Sequence, residues 1–536
     1  MAAPGFRVTY ATMSADDEAL HAAYDDGIAE ARKGLGQTHP FVVDGAERTG
    51  ARTHRELSPV DDEIVIGEFA QGTPADVDDA VSAARAAAPL WAATPWQERV
   101  ATLDRAADLI SERRFPLAAT MAFEVGKNRL EALGDVEESA DLIRYYCHEM
   151  EEHEGFRMPM NRLSPQEETR DVMRPFGVWA VISPFNFPMA LAAGPVGAAL
   201  AAGNTVVLKP SSAGALSGLL LARALYDAGV PAGAFHVITG SGGEVGDAMV
   251  NHAGVDGITF TGSYEVGMDI YRGFSGRYPK PVVCEMGGKN PAIVSDRADL
   301  EEAAEGIMRS AFGFGGQKCS AASRAYVARS VYDEFLDLLA DKTAAIEIGN
   351  PLERGVYLGP VIDATAVGRF EEAVAQAENT GRVVVGGSVL ADGDRVRGNY
   401  VEPTVVEAPA ESWLWRRELF VPFLAVAPID SVDEGIAKAN DTEYGLTAGF
   451  FSEDPYEVER FLDAIHAGVV YVNRRAGATT GAWPAVQPFG GWKGSGTSGK
   501  SGGGPYYLAQ YLREQSQTIV LAEPAIVQAE PARVVD

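Results

Sequence analysis

Residues 177–210 read GVWAVISPFNFPMALAAGPVGAALAAGNTVVLKP, and this stretch decides the fold. Its apolar start at 177–183 is rich in β-branched and aromatic residues, which predicts a strand that is buried on both faces. After a loop, residues 189–202 have the composition of a helix, and TVVL at 205–208 predicts the next strand. A further helix and two strands are predicted at 213–228, 234–238 and 257–260. Strands that alternate with helices indicate a doubly wound parallel sheet.

A second alternation predicts a second α/β lobe, after a boundary near residues 284–288. Its strands are predicted at 291–294, 325–327, 382–384, 447–451 and 468–473, and its helices at 300–312, 332–346, 432–440 and 455–465. Residues 157–172 and 515–522 fit neither lobe and look like strands at an exposed edge, so we expect a small β arm that pairs between subunits. The glycine-rich residues 491–504 lie between structured runs and are expected to form an ordered loop.

The charge balance argues against two classes of partner. The 536 residues include 45 Lys and Arg and 75 Asp and Glu, a formal net charge of −30. Such a surface repels nucleic acid and anionic membranes. The uncharged stretch from 177 to 208 is interrupted by Pro184, Pro188 and Pro195, which favours a buried strand–loop–helix–strand unit over a membrane span.

The cysteines are Cys147, Cys284 and Cys319. Their small number and wide spacing argue against a disulfide framework and against a CxxC zinc site, so we predict no metal. A reducing cytoplasm is the expected location.

Cys319 and Glu285 are candidates for a nucleophile and a base. Cys319 follows the glycine-rich residues 313–318, and Lys318 is its neighbour. Glycines let the backbone approach a ligand, and a nearby cation lowers a thiol pKa and favours the thiolate. A small buried side chain is the alternative. Glu285, beside two glycines, could be a general base for water or a salt-bridged surface residue.

Two further loops follow predicted strands. Gly262 and Ser263 lie where a strand ends and a helix begins, and helix N-termini attract phosphate. The spacing is not G-x-G-x-x-G, so a plain helix cap by Ser263 is the alternative. Asn186 could donate to an oxyanion, and Lys209 ends a strand at the edge where parallel sheets bind ligands. Turn chemistry alone would also explain each of them.

Taken together, these segments resemble the aldehyde dehydrogenase superfamily, in the same order, from about residue 41 to residue 517. The matching motifs are PFNFP at 184–188, LKPS at 208–211, FTGS at 260–263, EMGGK at 285–289, GQKCS at 316–320, ELF at 418–420 and PFGGWK at 488–493. The resemblance implies a nicotinamide-dependent enzyme that oxidises an aldehyde to a carboxylate. It also implies a Rossmann-like cofactor lobe, a catalytic lobe and an oligomerisation arm.

The resemblance assigns three catalytic roles. Cys319 attacks the carbonyl carbon, and the oxyanion accepts hydrogen bonds from the Asn186 side chain and the Cys319 backbone N–H. After hydride transfer to the nicotinamide, Glu285 activates the water that hydrolyses the thioester.

The resemblance also assigns cofactor contacts. Gly262 and Ser263 are predicted to contact the pyrophosphate, and Gly267 allows close helix packing there. Lys209 is predicted to reach the adenosine ribose. Glu418 is predicted to hold the nicotinamide ribose, with Phe420 beside it. Ser212 stands where many relatives have a Glu that grips the adenosine ribose, so NADP⁺ is possible, although NAD⁺ is the first choice. Val421 stands where relatives usually have Gly.

The aldehyde is indicated by GAWPAVQPFGG at 481–491 and KCS at 318–320, which resemble the Δ1-pyrroline-5-carboxylate (L-glutamate γ-semialdehyde) dehydrogenases. This resemblance implies that the substrate carboxylate is held by Ser320, Gly481 and Ala482, that its chain is flanked by Phe187 and Phe489, and that its ammonium faces Glu131. Trp483, Pro484 and Ala485 depart from the smaller or aliphatic residues common in that loop.

Alternatives remain at this point. α-Ketoglutarate semialdehyde and succinate semialdehyde are rival substrates, and a non-catalytic relative on the same fold is a remote possibility. The chain has no room for a proline dehydrogenase barrel of about 250 residues, so a separate enzyme would supply the substrate. The expected domains are a dinucleotide-binding domain at 1–156 and 173–284, a catalytic domain at 285–490, an oligomerisation arm at 157–172 and 505–525, and a tail at 526–536.

Overall fold

Two seven-stranded sheets form the frame of the protein in a computed structural model that describes residues 17–276, 278–475 and 483–521. The helices are α1 (Glu18–Gly34), α2 (Pro74–Ala93), α3 (Trp96–Glu112), α4 (Arg114–Val125), α5 (Arg129–Glu152), α6 (Ala190–Ala202), α7 (Ala215–Asp227), α8 (Asp247–Asn251), α9 (Tyr264–Gly273), α10 (Leu300–Phe312), α11 (Tyr332–Ala344), α12 (Ala364–Thr380), α13 (Val432–Asn440) and α14 (Pro455–Ala464).

The strands are β1 (Gln37–His39), β2 (Phe41–Val43), β3 (Ala46–Arg48), β4 (Thr53–Leu57), β5 (Val65–Ala70), β6 (Arg157–Pro159), β7 (Glu167–Pro175), β8 (Val178–Ile182), β9 (Thr205–Lys209), β10 (Phe235–Val237), β11 (Gly257–Thr261), β12 (Val282–Glu285), β13 (Asn290–Val294), β14 (Ala322–Ala328), β15 (Arg382–Val385), β16 (Val389–Leu390), β17 (Tyr400–Val401), β18 (Thr404–Glu407), β19 (Phe423–Ile429), β20 (Tyr444–Gly445), β21 (Thr447–Phe451), β22 (Val469–Val472), β23 (Trp492–Lys493) and β24 (Leu512–Val520).

The first sheet has the strand order β12-β11-β8-β9-β10-β2-β3. Its first five strands pair in parallel, and β8 and β9 are buried along almost their whole length. The predicted parallel sheet is therefore confirmed, with one correction: β2 and β3 add an antiparallel edge. Helices α2 to α5 precede the parallel strands of this sheet in the chain, and α5 packs against α3 and α6 in the main hydrophobic core.

The second sheet has the order β15-β18-β19-β14-β13-β21-β22. All its neighbouring strands are parallel except β15, which pairs antiparallel with β18. The predicted second parallel-sheet lobe is confirmed, and β15 adds an antiparallel strand at its edge. A parallel neighbour needs a crossover connection, usually a helix. The chain between β15 and β18 contains the short paired strands β16 and β17 instead.

The chain crosses between the sheets where β12 ends and β13 begins, close to the predicted boundary. Only residues 286–289 separate the two strands, so Glu285 and Asn290 lie at facing edges of the two lobes.

A separate sheet of order β24-β7-β6 carries the two segments that fit neither lobe. β24 pairs antiparallel with the whole of β7, from Leu512 opposite Pro175 to Val520 opposite Glu167. Just before β24, Leu508 and Tyr511 are fully buried in the core of the first lobe, which ties the sheet to the body of the protein. Across the three described ranges, no helix has both the length and the apolar character needed to span a membrane.

Candidate active site

A cavity of about 690 Å³ lies between the two lobes and joins ten of the predicted site residues. Those that line it are Asn186, Phe187, Gly262, Ser263, Glu285, Cys319, Ser320, Glu418, Phe420 and Phe489. Four predicted residues are not in its wall: Glu131, Lys209, Ser212 and Gly267. Gly481 and Ala482 lie outside the described residues.

Cys319 is presented by a tight turn at the end of α10. Phe314, Gly315 and Gly316 all have left-handed backbone angles, with φ of 49°, 63° and 66°. Glycine adopts these angles without strain, which explains two of the three residues. The Asn290 side chain donates to the Cys319 carbonyl oxygen at 2.7 Å, so the nucleophile is anchored to the start of β13.

The Cys319 thiol has a pKa that favours the protonated form at neutral pH. Burial, together with the negative charges of Glu418 and Glu285, raises its pKa to about 12, although the backbone N–H groups of Ser320 and Cys319 donate to the sulfur. The expected help from Lys318 is wrong, because the Lys318 ammonium lies 2.5 Å from a Glu131 carboxylate oxygen and is paired there. Activation of the thiol therefore needs a base.

Glu285 can be that base. It ends β12 and points into the cavity, and its Oε2 atom is buried without a hydrogen-bond partner. Burial raises its pKa to about 8, while a hydrogen bond from the Gly491 backbone N–H opposes this shift. A carboxylate with a pKa near the working pH can take a proton in one step and return it in another.

Glu418 faces the same turn from the second lobe. Its Oε1 accepts a hydrogen bond of 2.9 Å from the Gly288 backbone N–H. A Cβ atom on Gly287 would lie 2.1 Å from Glu418 Oε2, so no larger residue fits there. Burial raises the pKa of Glu418 to about 7, against the Gly288 hydrogen bond and the charge of Lys289. This carboxyl is therefore held at the cavity wall, where it can bind a ribose hydroxyl.

The start of α9 can hold a diphosphate. Ser263 caps this helix by accepting from the Val266 N–H at 3.5 Å, and Gly262 and Ser263 line the cavity. A Cβ atom on Gly267 would lie 2.4 Å from the Met286 sulfur, so the glycine lets α9 pack closely on the sheet. Backbone N–H groups and the positive end of the helix dipole therefore face the cavity.

Lys209 and Ser212 lie behind Ser211, which does line the cavity. Lys209 is 4% exposed, its ammonium donates to the Pro210 carbonyl at 3.1 Å, and burial lowers its pKa to about 8. The Ser212 hydroxyl donates to the Gly240 carbonyl at 3.4 Å. The site thus fits a dinucleotide, with Ser211 and α9 at one end and Glu418 at the other.

Glu138 is a further carboxylate in the cavity wall, and sequence reasoning missed it. Glu138, Leu142 and Tyr146 line the cavity from one face of α5, as residues four apart on a helix do. Glu131, expected to face the substrate ammonium, is paired with Lys318 instead and is not in the wall. Helical spacing from Leu142 and Tyr146 could have indicated Glu138, had their place in the pocket been known.

Trp483 forms part of the same wall and was flagged only as a departure from relatives. It is 4% exposed, and its indole N–H donates to Asp141 Oδ2 on α5 at 3.0 Å. The bulky ring is therefore fixed against the helix that carries Glu138, on the pocket side of the loop around Phe489.

Comparisons with known proteins agree with this geometry. The model of a family described as the aldehyde dehydrogenase family matches residues 46–517. A 1-pyrroline-5-carboxylate dehydrogenase from Bacillus cytotoxicus is 37% identical over 94% of this chain and 97% of its own length. One from Bacillus licheniformis is 38% identical over 90% of this chain and 93% of its own.

Two solved structures are also similar. A 1-pyrroline-5-carboxylate dehydrogenase from Thermus with bound NAD has a TM-score of 0.91 and 33% identity, and the match covers 97% of this chain and 100% of that chain. Proline utilization A (PutA) from Bdellovibrio bacteriovorus has a TM-score of 0.90 and 37% identity over 95% of this chain, which spans 53% of the PutA chain.

The raised pKa of Cys319 predicts slow alkylation that accelerates with pH. Because the thiolate fraction rises tenfold per pH unit below the pKa, the iodoacetamide rate at Cys319 should rise about 100-fold from about pH 7 to about pH 9. Glu418→Gln removes a nearby negative charge and should increase the rate at each pH. Peptide mass spectrometry measures this site by site, with buried Cys147 and Cys284 as internal controls. An ordinary thiol has a pKa of about 8.5 in model peptides, and its alkylation rate levels off above that pH. Such a plateau for Cys319 would contradict the raised pKa.

Proposed function

The chain belongs to the aldehyde dehydrogenase family, and on that premise we propose that it oxidises L-glutamate γ-semialdehyde, the open form of Δ1-pyrroline-5-carboxylate, to L-glutamate. This is the second step of proline catabolism. The observation that carries the proposal is the position of Glu138, a carboxylate in the wall of the cavity that also holds Cys319 and Ser320. The names of the relatives at 36–38% identity support the same substrate.

The first half of the reaction is addition to the carbonyl. Glu285 accepts the thiol proton as the Cys319 sulfur bonds to the carbonyl carbon, because a thiol with a pKa of about 12 needs a base. The oxyanion then accepts hydrogen bonds from the Asn186 amide and the Cys319 backbone N–H. One such donor is typically worth about 3–4 kcal/mol of barrier.

The second half is release of the acid. When bound, the nicotinamide supplies the acceptor for the hydride that leaves the carbonyl carbon, and a thioester on Cys319 remains. Glu285 first gives the proton taken from the thiol to solvent, and then takes a proton from water as the water oxygen bonds to the thioester carbon. The C–S bond breaks, Glu285 returns that proton to the sulfur and is ionised again, and the carboxylic acid product loses its own proton to solvent. Phe187 and Phe489 line the cavity and would exclude bulk water from the aliphatic chain of the substrate.

The charged groups of the substrate match the pocket. Glu138 would pair with the α-ammonium, and Ser320 would donate to the α-carboxylate, with Gly481 and Ala482 proposed as further backbone donors. α-Ketoglutarate semialdehyde and succinate semialdehyde lack the ammonium group, so they cannot make this contact with Glu138, which is partly exposed in the cavity wall.

The protein uses NAD⁺ or NADP⁺, and we propose NAD⁺ as the preferred form. The contacts would be Ser263 and Gly262 to the diphosphate, Lys209 and Ser212 near the adenosine ribose, and Glu418 with Phe420 at the nicotinamide ribose. Ser212 carries no charge that would repel a 2′-phosphate, which supports use of NADP⁺ as well. Residues 1–156 and 173–284 would form the cofactor domain, and residues 285–490 the catalytic domain.

We expect Glu285→Gln to separate the two halves of the reaction. In wild type, steady turnover should rise with pH and level off above about pH 8, where Glu285 is ionised. The amide can take a proton neither from the thiol nor from water, so the first-turnover burst of reduced cofactor should form more slowly than in wild type, and steady turnover should fall about 100-fold or more because thioester hydrolysis loses its base as well. Stopped-flow absorbance at the reduced nicotinamide band measures both phases. Cys319→Ser is the control and should show neither phase; brisk turnover by it would rule out the thioester route.

Glu138→Gln should change substrate preference. A charge-assisted contact is worth about 1.5–3 kcal/mol, so kcat/KM for glutamate semialdehyde should fall about 10- to 100-fold. For succinate semialdehyde, which has no ammonium, kcat/KM should change about threefold or less. Glu131→Gln is the matched control on the same helix, and the ratio between the two substrates should not change. Equal losses on both substrates in Glu138→Gln would exclude its role as the ammonium partner.

We also propose that the β6, β7 and β24 sheet is an arm that joins subunits. Leu163 is 96% exposed, and Met158, Met160 and Val520 are each more than half exposed on the same sheet or its turn. Apolar side chains that are exposed as a group often mark an interaction site, and a partner would cover them.

The arm predicts the effect of two charges on assembly. Leu163→Asp combined with Val520→Asp should lower the molar mass in light scattering, because both carboxylates would be buried against a partner. Leu90→Asp is the control, since Leu90 is 77% exposed on α2, away from the arm. An unchanged mass in the double variant would count against the arm. We further propose a cytoplasmic location and a separate proline dehydrogenase as the source of the substrate.

A further inference from the structure

A buried ion pair lies directly behind the aldehyde pocket. Lys127 follows the last turn of α4, Asp135 lies on α5, and their charged atoms are 2.6 Å apart. Both side chains have 0% exposure. A buried pair of this kind is often no more stable than well-packed apolar residues, so stability alone does not account for its presence.

The lysine contacts both loops that carry the chemistry. Its ammonium lies 3.5 Å from the ring centroid of Phe187, the neighbour of Asn186. It also lies 5.1 Å from the ring of Phe314, in the turn that presents Cys319. Both distances are within the range of a cation–π contact, which is stronger when the cation is desolvated.

The aspartate holds the other end of the Asn186 loop. Asp135 Oδ1 accepts a hydrogen bond of 2.8 Å from the Ala190 N–H, at the first residue of α6. α6 has no side-chain cap of its own, because Met189 precedes it and cannot accept a hydrogen bond in that position. Asp135 therefore serves as a cap supplied by another helix.

We propose that Lys127 and Asp135 are positioning residues for the oxyanion donor. The loop from β8 to α6 is held at Phe187 by the ammonium and at Ala190 by the carboxylate, and the 3% exposed Asn186 directly precedes Phe187, so these contacts restrict the backbone that carries its amide. The contact with Phe314 ties the same pair to the turn of Cys319. The inference rests on the proposed function, because it concerns addition of Cys319 to the aldehyde.

The charged residues near the Lys127–Asp135 pair favour retention of both of its members. Glu131 and Lys318 are themselves paired and act electrostatically on Lys127. The four groups alternate in sign, so loss of one partner would leave a charge buried without compensation. For this reason the test replaces both members of the pair together.

The pair variant combines Lys127→Met with Asp135→Asn. It removes both charges, while the amide oxygen at 135 can still accept from the Ala190 N–H. We expect the single-turnover rate constant for reduction of the cofactor to fall about 10- to 100-fold, with KM for aldehyde and cofactor within about threefold of wild type. A fall in affinity at unchanged rate would overturn the proposal, since a positioning role acts on the rate of addition.

A cycle with Asn186→Ala tests whether the pair acts through the amide. In the Asn186→Ala background, the pair variant should cost about threefold or less, because the donor it orients is already absent. Rate losses that multiply in full would show that the pair acts elsewhere and would overturn the proposal. Thermal unfolding followed by circular dichroism is measured for every variant.

Arg129 and Asp25 provide the matched control. This pair joins α5 to α1 at 2.7 Å, with Arg129 8% and Asp25 49% exposed, and the Arg129 guanidinium lies 5.0 Å from the Tyr24 ring, so it combines an ion pair with a cation–π contact away from the cavity. Arg129→Met with Asp25→Asn should lower the unfolding temperature and leave the single-turnover rate within about twofold of wild type. An equal rate loss in the control would reduce the Lys127 effect to general stability and overturn the inference.

Two outcomes separate this inference from the proposed function. If wild type oxidises none of the semialdehydes, the proposed function fails and the inference fails with it. If wild type is active and the pair variant keeps its single-turnover rate, only the inference fails. Should the pair variant not fold, Lys127→Gln with Asp135→Asn, which also removes both charges but keeps polar groups at both positions, is tested in the same cycle with the same expected result.

Discussion

The close approach of the two lobes at Gly287 and Gly288 is the constraint on which the site depends. A Cβ atom on Gly287 would lie 2.1 Å from the Glu418 carboxylate, and one on Gly288 would lie 2.6 Å from the Cys319 carbonyl oxygen. A side chain at Gly288 would therefore collide with the Cys319 backbone, and one at Gly287 would displace the Glu418 carboxylate, so glycines keep both groups in place. The passage from β12 to β13 puts Glu285, at the end of a strand of the first sheet, beside Cys319 and Glu418 in loops of the second lobe. Glu285, Cys319 and Glu418 lie close together because the residues between them, Gly287 and Gly288, have no side chains.

This crowding has an electrostatic consequence. Burial raises the pKa of Glu285 to about 8, of Glu418 to about 7 and of Cys319 to about 12, and the two carboxylates add to the shift of the thiol. Three acidic groups in one water-poor cleft cannot all be charged at low cost. A proton can thus pass from sulfur to carboxylate without changing the net charge of the cleft. A nucleophile and a base that exchange a proton within one turnover require this.

The charged residues show where sequence reasoning stopped. Lys318 follows from the sequence as a neighbour of the nucleophile, yet its ammonium pairs with Glu131 and does not touch the sulfur. α5 carries Glu131, Glu137 and Glu138 on 24 residues, about 36 Å of helix. Glu137 accepts from Ser111 at 2.9 Å, whereas Glu138 lines the cavity. Which of the three faces the cavity depends on how the helix is rotated against α3 and α6. The sequence pattern of a helix that is buried on most sides does not indicate that rotation.

The sequence by itself determined the alternation of strands and helices, the crossing near residues 284–288 and the residues that we propose as nucleophile, base and oxyanion donor. These are local properties: hydrophobic periodicity, glycine at a close approach, and short motifs at the ends of strands. Only the tertiary structure decided that β15 is antiparallel, that Trp483 is fixed to Asp141, and that Lys127 lies over Phe187. Those contacts join residues that are far apart in the chain, and side-chain burial, which sets the pKa values of the site, exists only after the two lobes have closed around it.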